Sequence, residues 1–224
     1  GPRINIRPVA GLPLLHVDEP DLVGLRPRVK ATCEWLAATV TFVLMLPVLG
    51  VLALMIRIDS PGAPLFKQTR VGKHGREFTV YKLRTMRSDA EALLETLREQ
   101  NEAADGLLFK MRADPRVTRF GALLRKWSLD ELPQLWNVVK GDMAIVGPRP
   151  PLPSEVAEYG SDVARRLLVR PGITGLWQVS GRSDLSWEDS VRLDLYYVEN
   201  WSFAMDLMIL WKTFFAVILR DGAY

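Results

Sequence analysis

The stretch from Leu36 to Ile56 contains no charged residue, and it constrains this chain more than any other feature. As a straight helix at about 1.5 Å per residue it would be roughly 31 Å long, enough to cross the hydrocarbon core of a bilayer. A signal peptide is a poor match, because the run lies behind a polar arm and lacks a small-residue cleavage site. A core helix of a soluble protein is the plain alternative. Such a helix usually keeps a polar stripe, and this run has none.

Two details argue against a simple crossing. Pro47 sits inside the run, where it removes a backbone hydrogen bond and favours a kink. Basic residues also flank both ends: Arg28 and Lys30 before, then Arg57, Lys67 and Arg70 after. A spanning helix normally has its positive excess on one side. The expectation is a re-entrant helix that dips into the membrane and returns, with a straight crossing second.

The flanks suggest three regions. Residues 1–30 read as an N-terminal arm rich in Pro, Gly and scattered charge. Gly1-Pro2 reads as the remnant of a protease site and is set aside, and with no Met in first place the chain reads as a piece of something longer. Residues 31–58 hold the membrane helix, and 59–224 a catalytic domain. Within the latter, Leu65–Val71 and Glu77–Leu83 read as strands around a Gly72-Lys73-His74-Gly75 turn. Helices are expected over Ser88–Ala104, Thr118–Lys126, Leu129–Val139 and Ser154–Leu168, with a short strand at Met143–Val146. Pro171–Arg182 reads as a glycine-containing loop. The apolar Asp206–Leu219 segment, with Trp201 and Trp211 beside it, is expected as a helix, interfacial or buried. The fold class is therefore α+β, mainly helical, with short strands in a cytosolic domain packed on a re-entrant helix.

Composition excludes several chemistries. The single cysteine, Cys33, rules out an internal disulfide framework and a cysteine-rich zinc site. Two histidines, His16 and His74, are too few for a histidine metal cluster. No GxxxxGK[ST] phosphate loop occurs, which points away from ordinary NTP hydrolysis. The net charge of +3 and pI near 9.1 suit anionic partners without choosing among them.

Ser128-Leu129-Asp130-Glu131-Leu132-Pro133 has capping-box spacing, and capping alone would account for its acidic residues. Its surroundings add a second meaning. Arg125 and Lys126 lie just upstream, Lys82 and Arg84 close a strand, Arg149 sits between two prolines, and Arg165, Arg166, Arg170 and Arg182 follow. Carboxylates can hold Mg²⁺, and Arg or Lys can neutralise phosphate oxygens, so together these are the two halves of a phosphoryl-transfer site. A helix N-terminus would keep Asp130 ionised and nucleophilic. Pro171–Gln178 has small residues and exposed amides that could close on a nucleotide, although the spacing alone favours a tight structural loop.

Taken in order, the motifs resemble those of the bacterial sugar transferase family, the monotopic phosphoglycosyl transferases. The resemblance runs from about Lys30 to Tyr224. It rests on Asp59-Ser60-Pro61-Gly62, Phe66–Gly72, Tyr81-Lys82-Leu83-Arg84-Thr85-Met86, Asp114–Thr118, Ser128–Asn137, Gly141-Asp142-Met143, Gly147-Pro148-Arg149-Pro150, Arg170–Gly175 and Asp194-Leu195-Tyr196-Tyr197. It implies a cytosolic catalytic face on the inner membrane, Mg²⁺ dependence, and a catalytic, metal-holding dyad at Asp130 and Glu131. It puts phosphate-binding arginines at Arg125 and Arg149; the residue reading adds Lys82, Arg84 and Arg182 as phosphate contacts and Gly172, Thr174 and Gln178 as nucleotide contacts. The implied reaction moves a sugar 1-phosphate from a UDP-sugar to polyprenyl phosphate at the start of exopolysaccharide or O-antigen synthesis. Glu34 stands near the place where the family commonly has an Asp before the helix. Expected partners are the UDP-sugar, the lipid phosphate and the membrane, with no nucleic acid and with room for a homodimer. The rival reading is a basic adaptor that only binds acidic lipids. It needs the cations but has no use for Asp130-Glu131.

Overall fold

The computed structural model describes residues 3–9, 12–18, 24–90, 92–93, 114–181 and 185–219. The N-terminal arm contains an antiparallel hairpin, β1 (Arg3–Val9) against β2 (Leu12–Asp18). Helix α1 then runs over Leu25–Asp59. It begins well before the uncharged run and continues past Pro47 as one helix. At about 1.5 Å per residue its 35 residues extend roughly 52 Å, so only part of it fits a hydrocarbon core of about 30 Å.

Only 6% of its most apolar stretch is buried. Leu36, Val40, Leu44, Val51 and Leu54 are exposed, while Ala38 and Ile56 are buried against the protein body. A core helix of a soluble protein would hide those side chains. This helix is long and apolar enough to cross a membrane, and its open faces suit a lipid phase.

Strands β3 (Leu65–Val71) and β4 (Glu77–Leu83) form the predicted hairpin, closed by a single 3₁₀ turn at Lys73–Gly75. Beyond the hairpin, Met86 and Val117 form an isolated antiparallel bridge. Helix α2 (Arg119–Lys126) follows, capped by the Thr118 hydroxyl, which accepts from Gly121 N–H. Gly121 lies so close to the Thr85 backbone that an added Cβ would stand 2.0 Å from the Thr85 carbonyl oxygen.

The expected Leu129–Val139 helix is divided. A 3₁₀ turn at Leu129–Glu131 comes first, and α3 starts only at Gln134 and ends at Lys140. Pro133 separates the two, because it cannot donate the hydrogen bond that would make them one helix. The Ser154–Leu168 region is likewise broken into α4 (Pro153–Ala157), α5 (Ser161–Ala164) and a 3₁₀ turn. The loop expected at Pro171–Arg182 contains a strand, β6 (Gly172–Thr174), which pairs in parallel with β5 (Ala144–Val146). Helix α6 (Trp187–Asn200) has no counterpart in the sequence reading, and α7 covers Phe203–Leu219. Most of the helix expected over Ser88–Ala104 lies outside the described residues.

Three apolar clusters hold the body together. Ala38 packs with Val80, Leu135, Val138 and Met143, and Ile56 packs with Leu83 and Leu124. Val146, Leu176, Tyr197, Val198 and Ile209 form the third. Thus α1 is gripped near both ends. Its N-terminal half is also held by a polar clamp. Lys30 Nζ donates to Glu34 Oε1 (2.8 Å), Asp206 Oδ2 (2.7 Å) and the Val146 carbonyl (3.1 Å). Val146 N–H donates to Glu34, and the Tyr197 hydroxyl and Trp201 indole donate to Asp206. On α7, Asp206 and Ile209 face inward while Leu207, Trp211, Phe214 and Ile218 form an exposed stripe. An exposed apolar stripe of this kind is what an interfacial helix presents.

Candidate active site

Asp130 owes its position to Ser128, whose left-handed backbone (φ 53°) turns the chain sharply after α2. Ser128 makes no side-chain cap, so the capping box read from the spacing does not form. Asp130 and Glu131 instead occupy a single 3₁₀ turn wedged between α2 and α3, beside the end of β4. Lys82, near that strand end, reaches Glu131 with Nζ 2.8 Å from Oε1. Arg125, in the last turn of α2, donates from Nε to the Thr85 hydroxyl at 2.9 Å. Thr85 is itself fixed by Thr118 N–H, which donates to the Thr85 carbonyl.

The sequence argument gave Asp130 a helix N-terminus that would lower its pKa. The structure reverses that sign. Partial burial and then the neighbouring Glu131 push the Asp130 carboxyl above its ordinary range, against the opposite pull of Lys82 and Arg125. Burial also lowers Arg125, while Asp130 and Asp114 work to keep it charged. Asp114 is held by Arg116 through bonds of 2.6–3.1 Å to the guanidinium. Two adjacent carboxylates, one lysine and one arginine therefore share a partly desolvated corner.

Arg149 projects from the Gly147–Pro151 connection. Its ion-pair contact among the described residues is a long one, Nη1 to Glu155 Oε1 at 4.0 Å. The loop is backed by a buried pair, Arg166 and Asp194, at 2.5 Å, where burial raises Asp194 to about 6 despite Arg166. Arg84 is turned elsewhere. Its Nη2 donates to the Ser60 carbonyl (2.6 Å) and hydroxyl (2.9 Å), and its Nη1 to the Pro61 carbonyl, so it latches the end of α1 to β4.

Gly172 and Thr174 lie in β6, directly behind the Arg149 connection: Gly172 N–H donates to the Pro148 carbonyl and Gly147 N–H to the Thr174 carbonyl. Packing alone requires the glycine, since a Cβ on Gly172 would stand 2.1 Å from Gly147 N. The Thr174 hydroxyl meets that of Thr213 at 2.7 Å, and Gln178 donates to the Ile173 carbonyl at 3.3 Å. Arg182 lies outside the described residues. The structure thus gathers Lys82, Arg125, Asp130 and Glu131, while Arg149 faces Glu155 and is linked to that group only through Arg70, on which both Arg149 and Glu131 act. Sequence reasoning missed Thr85, the seat of Arg125. Its signal was its place in the Tyr81–Met86 motif, where it was given no role of its own.

Among the described residues, no three His, Cys, Asp or Glu side chains form a metal cage. Two carboxylates on one turn still suit Mg²⁺, which characteristically takes one or two carboxylates and completes its shell with water and substrate phosphates.

The model of the bacterial sugar transferase family matches residues 25–220, and the chain belongs to that family. It is 46% identical over 198 residues to the UDP-galactose-lipid carrier transferase of Erwinia amylovora, covering 87% of this chain and 41% of that protein. It is 45% identical over 175 residues to the undecaprenyl-phosphate galactose phosphotransferase of Salmonella typhimurium, covering 76% of this chain and 37% of that one. With the exopolysaccharide production protein ExoY of Rhizobium meliloti it shares 41% identity over 198 residues, covering 87% and 88% of the two chains. The chain therefore spans about two fifths of the length of the first two relatives and nearly all of the third.

Proposed function

We propose that this protein transfers a sugar 1-phosphate from a UDP-sugar to undecaprenyl phosphate, releasing UMP and leaving a polyprenyl-diphosphate sugar. The observation that carries this reading is the Asp130-Glu131 pair, ringed by Lys82 and Arg125, on a body gripped to a long exposed apolar helix. A water-soluble donor and a lipid acceptor both need a site at the membrane surface. An adaptor for acidic lipids would need no partly desolvated acid pair. The names of the relatives from Erwinia and Salmonella, which specify a lipid carrier and undecaprenyl phosphate, support the same choice.

In the proposed chemistry, an Asp130 carboxylate oxygen attacks the sugar-proximal phosphorus of the donor. The phosphoanhydride bond breaks and UMP departs with that bond's electrons. The sugar phosphate remains as an acyl phosphate on Asp130. A polyprenyl phosphate oxygen then attacks the same phosphorus and Asp130 leaves as a carboxylate. Lys82, Arg125 and Arg149 offset the repulsion between the carboxylate and the phosphates. Asp130 and Glu131 would hold Mg²⁺, which supplies further charge neutralisation on the phosphate oxygens. Gly172 and Thr174, which lie behind the Arg149 connection, are assigned with Gln178 to the nucleotide side, and Arg182 is assigned to the phosphates by its place in the sequence alone. Incubation with undecaprenyl phosphate and a panel of UDP-sugars tests the whole reading. UMP release with one of them, lost in chelator, is the expected result. No release from any UDP-sugar would remove it.

The membrane arrangement belongs to the same proposal. The basic flanks of α1 and its grip at both ends favour a re-entrant helix at the inner membrane, with the catalytic face in the cytosol. Single cysteines placed near Lys30 and Lys67, in a Cys33→Ser background, should both be protected from membrane-impermeant reagents in intact cells. Labelling at one of the two only would establish a straight crossing instead.

A further inference from the structure

The register of the β3–β4 hairpin places one more cation at the site. Phe66 pairs with Lys82, Gln68 with Val80, and Arg70 with Phe78. Partners directly across an antiparallel pair share a sheet face, so Arg70 and Lys82 lie on the same one. Lys82 serves Glu131 at one end of that face. At the other end Arg70 turns to the connection that carries Arg149. Its Nη1 donates to the Pro150 carbonyl at 3.0 Å, and Val71 N–H, next along the strand, donates to the Pro151 carbonyl at 2.9 Å. Gln68 Oε1 accepts from Arg70 Nε (3.0 Å) and Nη2 (2.6 Å), fixing the plane of the guanidinium. These bonds occupy three of the five N–H donors of an arginine fork.

The fixed fork therefore holds the connection that carries Arg149, whose own ion-pair contact among the described residues is the long one to Glu155. Two partly buried cations side by side are unfavourable by themselves. Burial and then Arg149 draw Arg70 down to about 10, and Glu155 and Glu131 act in the opposite direction. Arg70 keeps its charge at neutral pH. A polyanion bound between the two guanidiniums would relieve their repulsion, and planar forks match phosphate oxygens two at a time.

We propose that Arg70 is a substrate-binding residue, forming with Arg149 a two-guanidinium clamp that bridges both phosphates of the nucleotide sugar. The clamp rests on the donor assignment above and names a residue that assignment does not use. The rival role for Arg70 is to position the Pro150 connection without touching substrate.

UDP and UMP separate the two roles, because only UDP has a second phosphate. Their binding is measured calorimetrically on the full chain in lipid nanodiscs with Mg²⁺. Loss of a charge-assisted bond predicts that Arg70→Gln weakens UDP about tenfold or more and UMP less than about threefold. Donor KM should rise in parallel, with kcat changed less. Arg70→Lys keeps the charge and loses the fork, so it should cost UDP about threefold and leave UMP unchanged. If Arg70→Gln does not fold, the UDP-to-UMP ratio of Arg70→Lys decides by itself. An unchanged ratio in the folded variants, or a fall in kcat at constant KM, overturns the clamp. If the wild type binds UDP but releases no UMP from any UDP-sugar, the functional reading falls while the UDP-to-UMP ratio still decides the clamp. If the wild type turns over and Arg70→Gln binds UDP normally, only the clamp falls.

Discussion

Asp130→Asn is expected to abolish UMP release and sugar-phosphate transfer together, with a loss on the order of 10⁴–10⁶-fold, the range seen when a covalent nucleophile is removed. The amide is nearly isosteric and neutral, so the 3₁₀ turn and the Lys82–Glu131 pair should survive. Intact-protein mass spectrometry after incubation with donor alone should show a sugar-phosphate adduct on the wild type, mapping to Asp130 and missing from the variant. Absence of an adduct, with kinetics that require both substrates before UMP leaves, would replace the covalent route with direct transfer. The pH dependence gives a second readout. The nucleophile must be ionised, and its pKa lies above the ordinary Asp value because of burial and Glu131. The rate should therefore fall with decreasing pH along a limb above the usual carboxylate range. Lys82 pulls that pKa down, so Lys82→Met should move the limb to higher pH. A limb that stays in place would remove Lys82 from the control of Asp130.

Lys30→Met should produce the largest loss of stability. Lys30 is largely buried, with 15% of its side chain exposed, and its partners Glu34 and Asp206 have 15% and 10%. Removing the cation leaves two carboxylates facing each other across a packed contact. Breaking a buried ion pair from one side costs about 3–5 kcal/mol. For a domain of this size that corresponds to a melting-temperature drop of roughly 6–20 °C. Adding Asp206→Asn should restore part of the loss, because the two residues share one network and their effects are not additive. Thermal denaturation in a fixed detergent measures both. A drop of less than about 2 °C, or strict additivity, would show that the clamp contributes little. Activity should fall with stability, since the Val146 carbonyl bound by Lys30 and Tyr197 immediately precedes the Gly147–Arg149 segment.

What could be read from the sequence was whatever depends on local pattern. The absence of charge from Leu36 to Ile56 pointed to a long apolar helix, and the Gly72–Gly75 turn signal between two short segments pointed to the β3–β4 hairpin with its limits at Leu65–Val71 and Glu77–Leu83. Neighbours in sequence, such as Asp130 and Glu131, were visible as a pair because covalent geometry keeps them together. Where local signals compete, the reading failed. The capping spacing at Ser128 lost to a left-handed turn, and Pro133 divided one expected helix into two.

Tertiary structure alone decided everything that rests on contacts between distant segments. β6 was hidden in a glycine-rich loop because only its pairing with β5, 28 residues away at Ala144 and Gly172, makes it a strand. Lys30 read only as a basic flank of the apolar run and Asp206 only as the start of the last helix, until folding brought these positions, 176 residues apart, within hydrogen-bonding distance. Arg84 looked like a phosphate ligand, and folding turned it to the Ser60-Pro61 backbone. The sign of the Asp130 shift also came from the fold. Proximity to a helix terminus is a sequence property, but desolvation depends on what packs around the carboxyl, and here burial outweighs the cations beside it.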